Sequence, residues 1–355
     1  TQAKTLFPYT TLSRSRAATR SSASATEAHP SRLSIESALP SQGRCPCASQ
    51  IGCGGRGTGA ASNALRADAN VELVAMGDVF PDQIERSLKA LRAEADLAPK
   101  VKVAQEQCFT GFDAYQKVME SGVDVVLLTS PPGFRPQHLK AAVAAGKHIF
   151  AEKPMAVDAT GVRSVLASAA VAKQKNLSIV AGFCYRYNHG VRAFMEQIHN
   201  GAIGEMRAIH TAYNTGGLWS KPRQAGWTDM EWQLRNWMYF TWLSGDHITE
   251  QAVHNLDKMS WLMKDSPPER CMAVGGRQAR TASEYGHIFD HFGVVYEYPN
   301  GVRAFHFCRQ QNNTTPDNSD YVMGADGVGQ IVRSFSGPYV IRGKTLAVPR
   351  GTKGA

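Results

Sequence analysis

No apolar run in the chain approaches the length of a membrane span, so nothing in the sequence places it in a bilayer. Cysteine is scarce and scattered. The seven thiols, Cys45, Cys47, Cys53, Cys108, Cys184, Cys271 and Cys308, form neither a CxxC pair nor a zinc-ligand spacing. That argues against a disulfide framework and a structural metal site, and a chain of 355 residues needs no such staples. Free thiols in a reducing compartment, cytoplasmic by default, are the simplest reading. A nucleic-acid footprint is missing too. The formal net charge is +9, yet residues 1–48 carry six Lys/Arg against two Asp/Glu and residues 333–355 carry five against none, so the 28 charges of each sign that remain cancel in the body. A neutral body with basic ends offers nothing to a phosphate backbone, and neither nucleic acid nor membrane is expected as a partner.

What is present suits a globular chain: the length accommodates two domains and 43% hydrophobic residues can build their cores. Residues 1–48 are rich in Ser, Thr, Ala and Arg without period, contain no secretory apolar core, and read as disordered or non-native. Their opening resembles translated sequencing-adapter sequence in front of a gene fragment, in which case a true targeting signal is lost. They are expected to add nothing to the core, and the fold to begin near Ile51. The residues just before it, RCPCASQ, make a poor buried strand, so the first strand reads as damaged, shortened or replaced.

Organised sequence starts at IGCGGRG. Gly52, Gly54 and Gly57 fit GxGxxG before a helix-compatible run from Ala60 to Ala67: a tight turn, bare backbone for a pyrophosphate, and close helix packing. Alone this is a weak signal. It gains weight from a second strand, Val71 to Met76, followed by Asp78, which sits where an acid meets the ribose hydroxyls of NAD and repels a 2′-phosphate; Val79-Phe80 supplies no cation to offset it. Helical and strand patterns then alternate. A helix from Pro81 to Ala95 precedes Val101–Phe109, a helix at Ala114–Glu120 precedes the buried run VDVVLL, and the rigid turn Thr129-Ser130-Pro131-Pro132 precedes a helix from Arg135 to Ala145. That alternation predicts a doubly wound parallel sheet over 49–182. Its most telling segment is HIFAEKPM: Pro154 cannot donate to a ladder, which fixes Lys153, after Glu152, at the carboxyl end of a strand where such sheets bind ligands.

Residues 183–332 read as a second, α+β domain with an open, largely antiparallel sheet. Tyr185 and Arg186 fall just beyond the last strand of the first domain. Five tryptophans, Trp219, Trp227, Trp232, Trp237 and Trp242, crowd one polar segment, either as walls of a carbohydrate pocket or as packing for a long loop. In SGDHITEQAVHNLDKMSW, read as one helix, Glu250 and His254 share a face with Asp257 one turn on. A carboxylate there can orient an imidazole for general-base work; the alternatives are a surface pair, or a metal face for which His247 is near but no third ligand is evident. Arg277, Gln278, Tyr285, His287, Asp290 and His291, between strands, are substrate ligands or solvated loop. Residues 333–355 show no period and read as an irregular tail.

Taken together, IGCGGRG, Asp78, the Ser-Pro-Pro turn, AEKP and the His254–Asp257 helix resemble the Gfo/Idh/MocA oxidoreductases, named for glucose-fructose oxidoreductase, inositol dehydrogenase and a rhizopine-catabolism protein. The likeness covers roughly Ile51 to Gly327. Glu250 stands where the family has Asp and Ala252 where it has Gly, and no helical pattern follows the second domain as it does in the family. The resemblance implies a Rossmann domain holding NAD through Gly52, Gly54, Gly57, Asp78, Ser130, Pro131, Glu152 and Lys153. It further implies hydride transfer from a sugar, polyol or related alcohol, with His254 as base, Lys153 holding the oxygen and Glu250 orienting the imidazole, and Tyr185, Arg186, Trp237 and Arg277 about the substrate. A glycosidase using tightly held NAD and a non-catalytic nucleotide or sugar sensor are the alternatives. A homo-oligomer is left open.

Overall fold

In the computed structural model, residues 46–333 and 336–343 are described; expectations for 1–45, 334–335 and 344–355 lie outside them. The first domain runs β1 (Cys47–Ile51), α1 (Gly55–Ala67), β2 (Glu72–Asp78), α2 (Pro81–Ala93), β3 (Cys108–Thr110), α3 (Ala114–Glu120), β4 (Val125–Leu128), α4 (Arg135–Ala144), β5 (His148–Ala151), α5 (Ala159–Gln174) and β6 (Ile179–Ala181). Its six strands are all parallel in the order β3-β2-β1-β4-β5-β6. The order reverses at β1/β4, and the crevice beyond the carboxyl ends of those two strands is where a sheet of this kind takes its ligand.

The first strand is intact, which corrects the sequence reading: Cys47 and Ala48 belong to the sheet, and Ala48 is core. A polar CASQI can be a central strand because its side chains find partners inside the sheet. The Ser49 hydroxyl donates to Val125 O at 3.3 Å and Gln50 Nε2 to Gly52 O at 3.1 Å, so both have a donor engaged, while Gln50 Oε1 is buried without a partner. α1 likewise begins at Gly55, five residues ahead of the apolar run that announced it.

The second domain contains α6 (His189–His199), β7 (Met206–Thr215), α7 (Asp229–Arg235), α8 (Thr241–Ser244), α9 (Asp246–Glu250), α10 (Val253–Leu262), β8 (Arg270–Gly276), β9 (His291–Glu297), β10 (Arg303–Gln310), β11 (Asp320–Gly324), β12 (Gly327–Ile331) and β13 (Tyr339–Gly343). Its seven-stranded sheet, ordered β13-β12-β11-β7-β10-β9-β8, is antiparallel except where β7 meets β10. Helices α6 and α10 cover one face through Val191, Phe194, Ile198, Met259 and Leu262. The other face leaves Met272, Val274, Phe307 and Met323 exposed. The expected irregular tail is corrected in part: Tyr339–Gly343 is a strand paired with β12.

Two further corrections bear on function. The stretch from Ser244 to Trp261 is not one helix; it breaks between Glu250 and Val253, and Gly245 and Asp246 at its start are both left-handed, with φ of 73° and 69°. The tryptophan-rich stretch, in turn, holds α7 and α8. Leu234, Met238, Phe240 and Leu243 from it pack on Val79, Phe80 and Phe134 of the first domain. A Cβ at Gly133 would lie 2.4 Å from Trp242 O, so α8 rests directly on the turn after β4. No described helix is long and apolar enough to cross a membrane.

Arg135 staples this turn from beneath. Buried at the start of α4, its guanidinium donates to Leu128 O and to Ser130 O. Arg135→Ala takes a charged donor from both carbonyls, of which Leu128 O keeps the Glu152 amide at 2.9 Å, and is expected to cost about 2–4 kcal/mol in urea unfolding. A loss under about 0.5 kcal/mol, the range of an ordinary surface change, would contradict that role.

Candidate active site

A cleft of about 800 Å³ lies between the domains, lined by the glycine loop, the ends of β2, β4 and β5, and the second domain's Trp219, Trp237, Glu250, Gln251 and His254. Its floor is the β1–α1 turn. Gly52 has φ of 94°, and a Cβ there would lie 2.4 Å from Ser130 N; a Cβ at Gly57 would lie 1.9 Å from Gly52 O. No other residue fits either place. Beside Gly54 there is open space, with nothing nearer than Gln83 at 4.0 Å, and α1 starts there without a side-chain cap or an acid in its first turn. Uncapped amides at a positive helix end, approached by bare backbone, suit the pyrophosphate of a dinucleotide.

Asp78 closes β2 at this rim. Its Oδ2 accepts from Cys53 N at 2.6 Å and its Oδ1 from Phe80 N at 2.9 Å, so the carboxylate shapes the glycine turn while lining the cleft. Burial pushes its carboxyl up, and the amides oppose that. Glu152, buried at the end of β5, accepts from Arg56 of α1 at 2.6 and 2.7 Å. It is a brace between α1 and β5 in the cleft wall. The Ser130 hydroxyl meets His138 Nδ1 at 3.1 Å, and Ser130 and Pro131 both line the cleft.

Lys153 emerges from the end of β5 with its side chain 13% exposed, and its Nζ donates to Glu250 Oε1 at 2.9 Å and to Glu250 O. Glu250 Oε2 accepts from Gln251, whose Oε1 accepts from the Tyr213 hydroxyl at 3.1 Å. Glu250 therefore holds Lys153 and does not orient His254, because the break after α9 removes the four-residue helical spacing that would have joined them. His254 lines the cleft as expected. Its Nδ1 is buried without a hydrogen-bond partner, its ring stands edge-on to Tyr185 with centroids 5.2 Å apart, and burial, then Lys153 and Lys258, lower its pKa to about 3.

Of the residues expected about the substrate, Trp237 lines the cleft. Tyr185 lies under His254 as a packing partner instead. Arg186 is engaged with Asp257 at 2.8 Å and Asp265 at 2.7 Å, and Arg277 spends its guanidinium on the carbonyls of Arg280, Ala282 and Gly286 in its own loop; neither lines the cleft. Both are long cations, Arg186 with acceptors far off in the chain and Arg277 with acceptors in its own loop, and sequence gives no sign of which acceptor wins. Phe112, Tyr115 and Phe134 were missed, although each follows soon after a strand's carboxyl end; with His138 they form an aromatic shelf beside Ser130. Lys221 and Arg235 reach the cleft from the tryptophan-rich segment, Arg235 over the Phe80 ring at 3.9 Å and paired with Asp82 at 3.0 Å. Among the described residues no group of His, Cys, Asp and Glu is placed to hold a metal ion.

Two sequence models match the chain: one described as an oxidoreductase family with an NAD-binding Rossmann fold, over residues 50–181, and one for the GFO/IDH/MocA C-terminal domain, over 191–329. An inositol 2-dehydrogenase of Pseudomonas fluorescens (strain SBW25) is 30% identical over 196 residues, 55% of this chain and 48% of the relative. That of Serratia proteamaculans (strain 568) is 27% identical over 66% of this chain and 65% of its own length. The first of these matches thus spans about half of the relative. The WlbA dehydrogenase of Bordetella pertussis, solved with NADH and UDP-GlcNAcA, superposes with a TM-score of 0.67 at 18% identity, covering 87% of this chain and 80% of that one. An aldose-aldose oxidoreductase of Caulobacter crescentus, solved with glycerol, gives 0.65 at 17% identity, covering 86% of both. These likenesses establish the fold.

The Asp78 carboxylate predicts a cofactor preference. NAD is expected to bind at least about tenfold more tightly than NADP in calorimetric titration, and Asp78→Asn to narrow that ratio. NADP binding more tightly, with Arg86, Lys221 and Arg235 the nearby cations, and unchanged by Asp78→Asn, would contradict it.

Proposed function

The chain belongs to the Gfo/Idh/MocA oxidoreductase family, and on that premise we propose that it is an NAD-dependent dehydrogenase that removes hydride from a carbinol carbon of a polyol or sugar. The observation that carries this reading is that Lys153 and His254, far apart in sequence and in different domains, line one cleft that also contains the glycine turn and Asp78. A nucleotide sensor would need the turn and the acid but neither of the other two.

Bound there, nicotinamide supplies the hydride acceptor. The chain's own part is to take a proton and hold an oxygen. His254 is suited to the first task because burial and two neighbouring ammonium groups keep its imidazole neutral, and Nδ1 is the ring nitrogen that is buried, which leaves Nε2 to accept from a substrate hydroxyl. Lys153, fixed by Glu250 through one carboxylate oxygen and one carbonyl, retains a proton to donate to the same substrate oxygen as it becomes a carbonyl. Trp219 and Trp237 offer aromatic faces for the C–H surface of a ring, and relatives named inositol 2-dehydrogenase make cyclic polyols the first substrates to try. The apolar open face of the second sheet, with Met272, Val274, Phe307 and Met323, suits a second copy of the chain, so a homo-oligomer is part of the proposal.

Reduced nicotinamide should form with NAD and at least one member of a polyol and sugar panel. Lys153→Ala and His254→Ala should each slow kcat by about a hundredfold or more with NAD affinity nearly unchanged. Bound NAD with no turnover across the panel would favour the sensor.

A second outcome concerns pH. With its pKa lowered from 6.5 to about 3, His254 is already in its base form well below the range where an ordinary histidine titrates. The kcat/KM profile should therefore lack an acid limb between about pH 8 and about pH 5. A limb near the ordinary histidine value, abolished in His254→Ala, would show that the imidazole is not held neutral in the free enzyme.

A further inference from the structure

A general base usually has its ring fixed by a hydrogen bond at the nitrogen that does not react. His254 has none, since Nδ1 is buried without a partner and Glu250 is committed to Lys153 and Gln251. Something else must hold the ring. Its neighbour is Tyr185, met edge-on with the planes at 83°, a contact that fixes the imidazole only if Tyr185 is itself immobile. Over the Tyr185 ring, 4.8 Å from its centroid, lies the ammonium of Lys258.

Lys258 follows His254 by one turn of α10 and is fully buried, as is Asp320 of β11, with which it forms an ion pair. Asn255, on the same helix, donates to Asp320 Oδ1 at 3.1 Å and to Ala212 O of β7 at 2.7 Å. Two side chains of the helix thus grip one carboxylate of the sheet. Stability does not require charges there: desolvation offsets most of the attraction, and apolar residues of similar volume often hold such a place as well or better. What an apolar pair could not supply is an ammonium set over one particular aromatic ring.

We propose that Lys258 and Asp320 are positioning residues for His254, their ion pair fixing α10 on the second sheet and, through the Tyr185 ring, the place and orientation of the imidazole. The inference rests on the reading of His254 as the base. Lys258 also lowers the His254 pKa, after burial and Lys153, so the same cation that steadies the ring helps to keep it unprotonated.

The test is the double replacement Lys258→Met with Asp320→Leu, which removes both charges and leaves neither uncompensated. Thermal unfolding, NAD affinity, steady-state kinetics and the ring resonances of 15N-labelled His254 would be compared with the native chain. The expected result is a folded protein of similar Tm and NAD affinity, with kcat lower by about tenfold or more, substrate KM within about twofold, and the His254 resonances displaced. Native kcat and native His254 resonances in a stable double variant would overturn the proposal. If the double variant does not fold, Asp320→Asn carries the same comparison, with undisplaced resonances again overturning it. The resonances report on positioning even if no polyol is oxidised, so failure of the dehydrogenase reading would show separately as absent turnover in the native chain.

Discussion

The site depends on the ion pair between Lys153 and Glu250. One partner ends a strand of the nucleotide-binding sheet, the other ends a short helix of the second domain, and their side chains are only 13% and 8% exposed. On an open surface such a pair would contribute little and hold no fixed geometry. Withdrawn from water, with the Lys153 ammonium also bonded to the Glu250 carbonyl, it has few alternative arrangements. It settles at once where Lys153 points and where the chain enters the segment that carries His254.

The backbone before Glu250 is bent to make this meeting. Gly245 and Asp246 are both left-handed, which glycine adopts freely and aspartate adopts only with local support. Asp246 has that support: Oδ1 accepts from His247 N at 2.6 Å and Oδ2 from Phe289 N at 2.9 Å. The bend starts α9, the break after Glu250 starts α10, and the two short helices turn Glu250 toward Lys153 while His254 faces the cleft from the next element. A single straight helix would have paired Glu250 with His254 and left Lys153 without its carboxylate.

What sequence revealed followed from constraints that act locally. The glycine turn, Asp78 and the place of Lys153 before a proline are each set by a few neighbouring residues, and the helices at Ala114–Glu120 and Arg135–Ala144 announce themselves by period. The strand at Cys47–Ile51 was hidden because its polar residues are accommodated by the fold, Ser49 donating across the sheet to Val125 O, which no local pattern reports. β11 to β13 were hidden too, being short and glycine-containing, and they join the sheet only through the pairing of β11 with β7, far off in the chain. At the site, the residue types were legible and the pairings were not. Glu250, Arg186 and Arg277 all found partners other than those expected, because a long charged side chain answers to whichever acceptor the tertiary fold brings near.

The measurement that bears most directly on this account is the single-turnover rate of nicotinamide reduction in Glu250→Gln, a change that keeps the size of the side chain and removes its charge. If the ion pair sets the geometry of the reacting groups, the rate falls by about tenfold or more while NAD affinity stays close to native. A native single-turnover rate in Glu250→Gln would contradict the account.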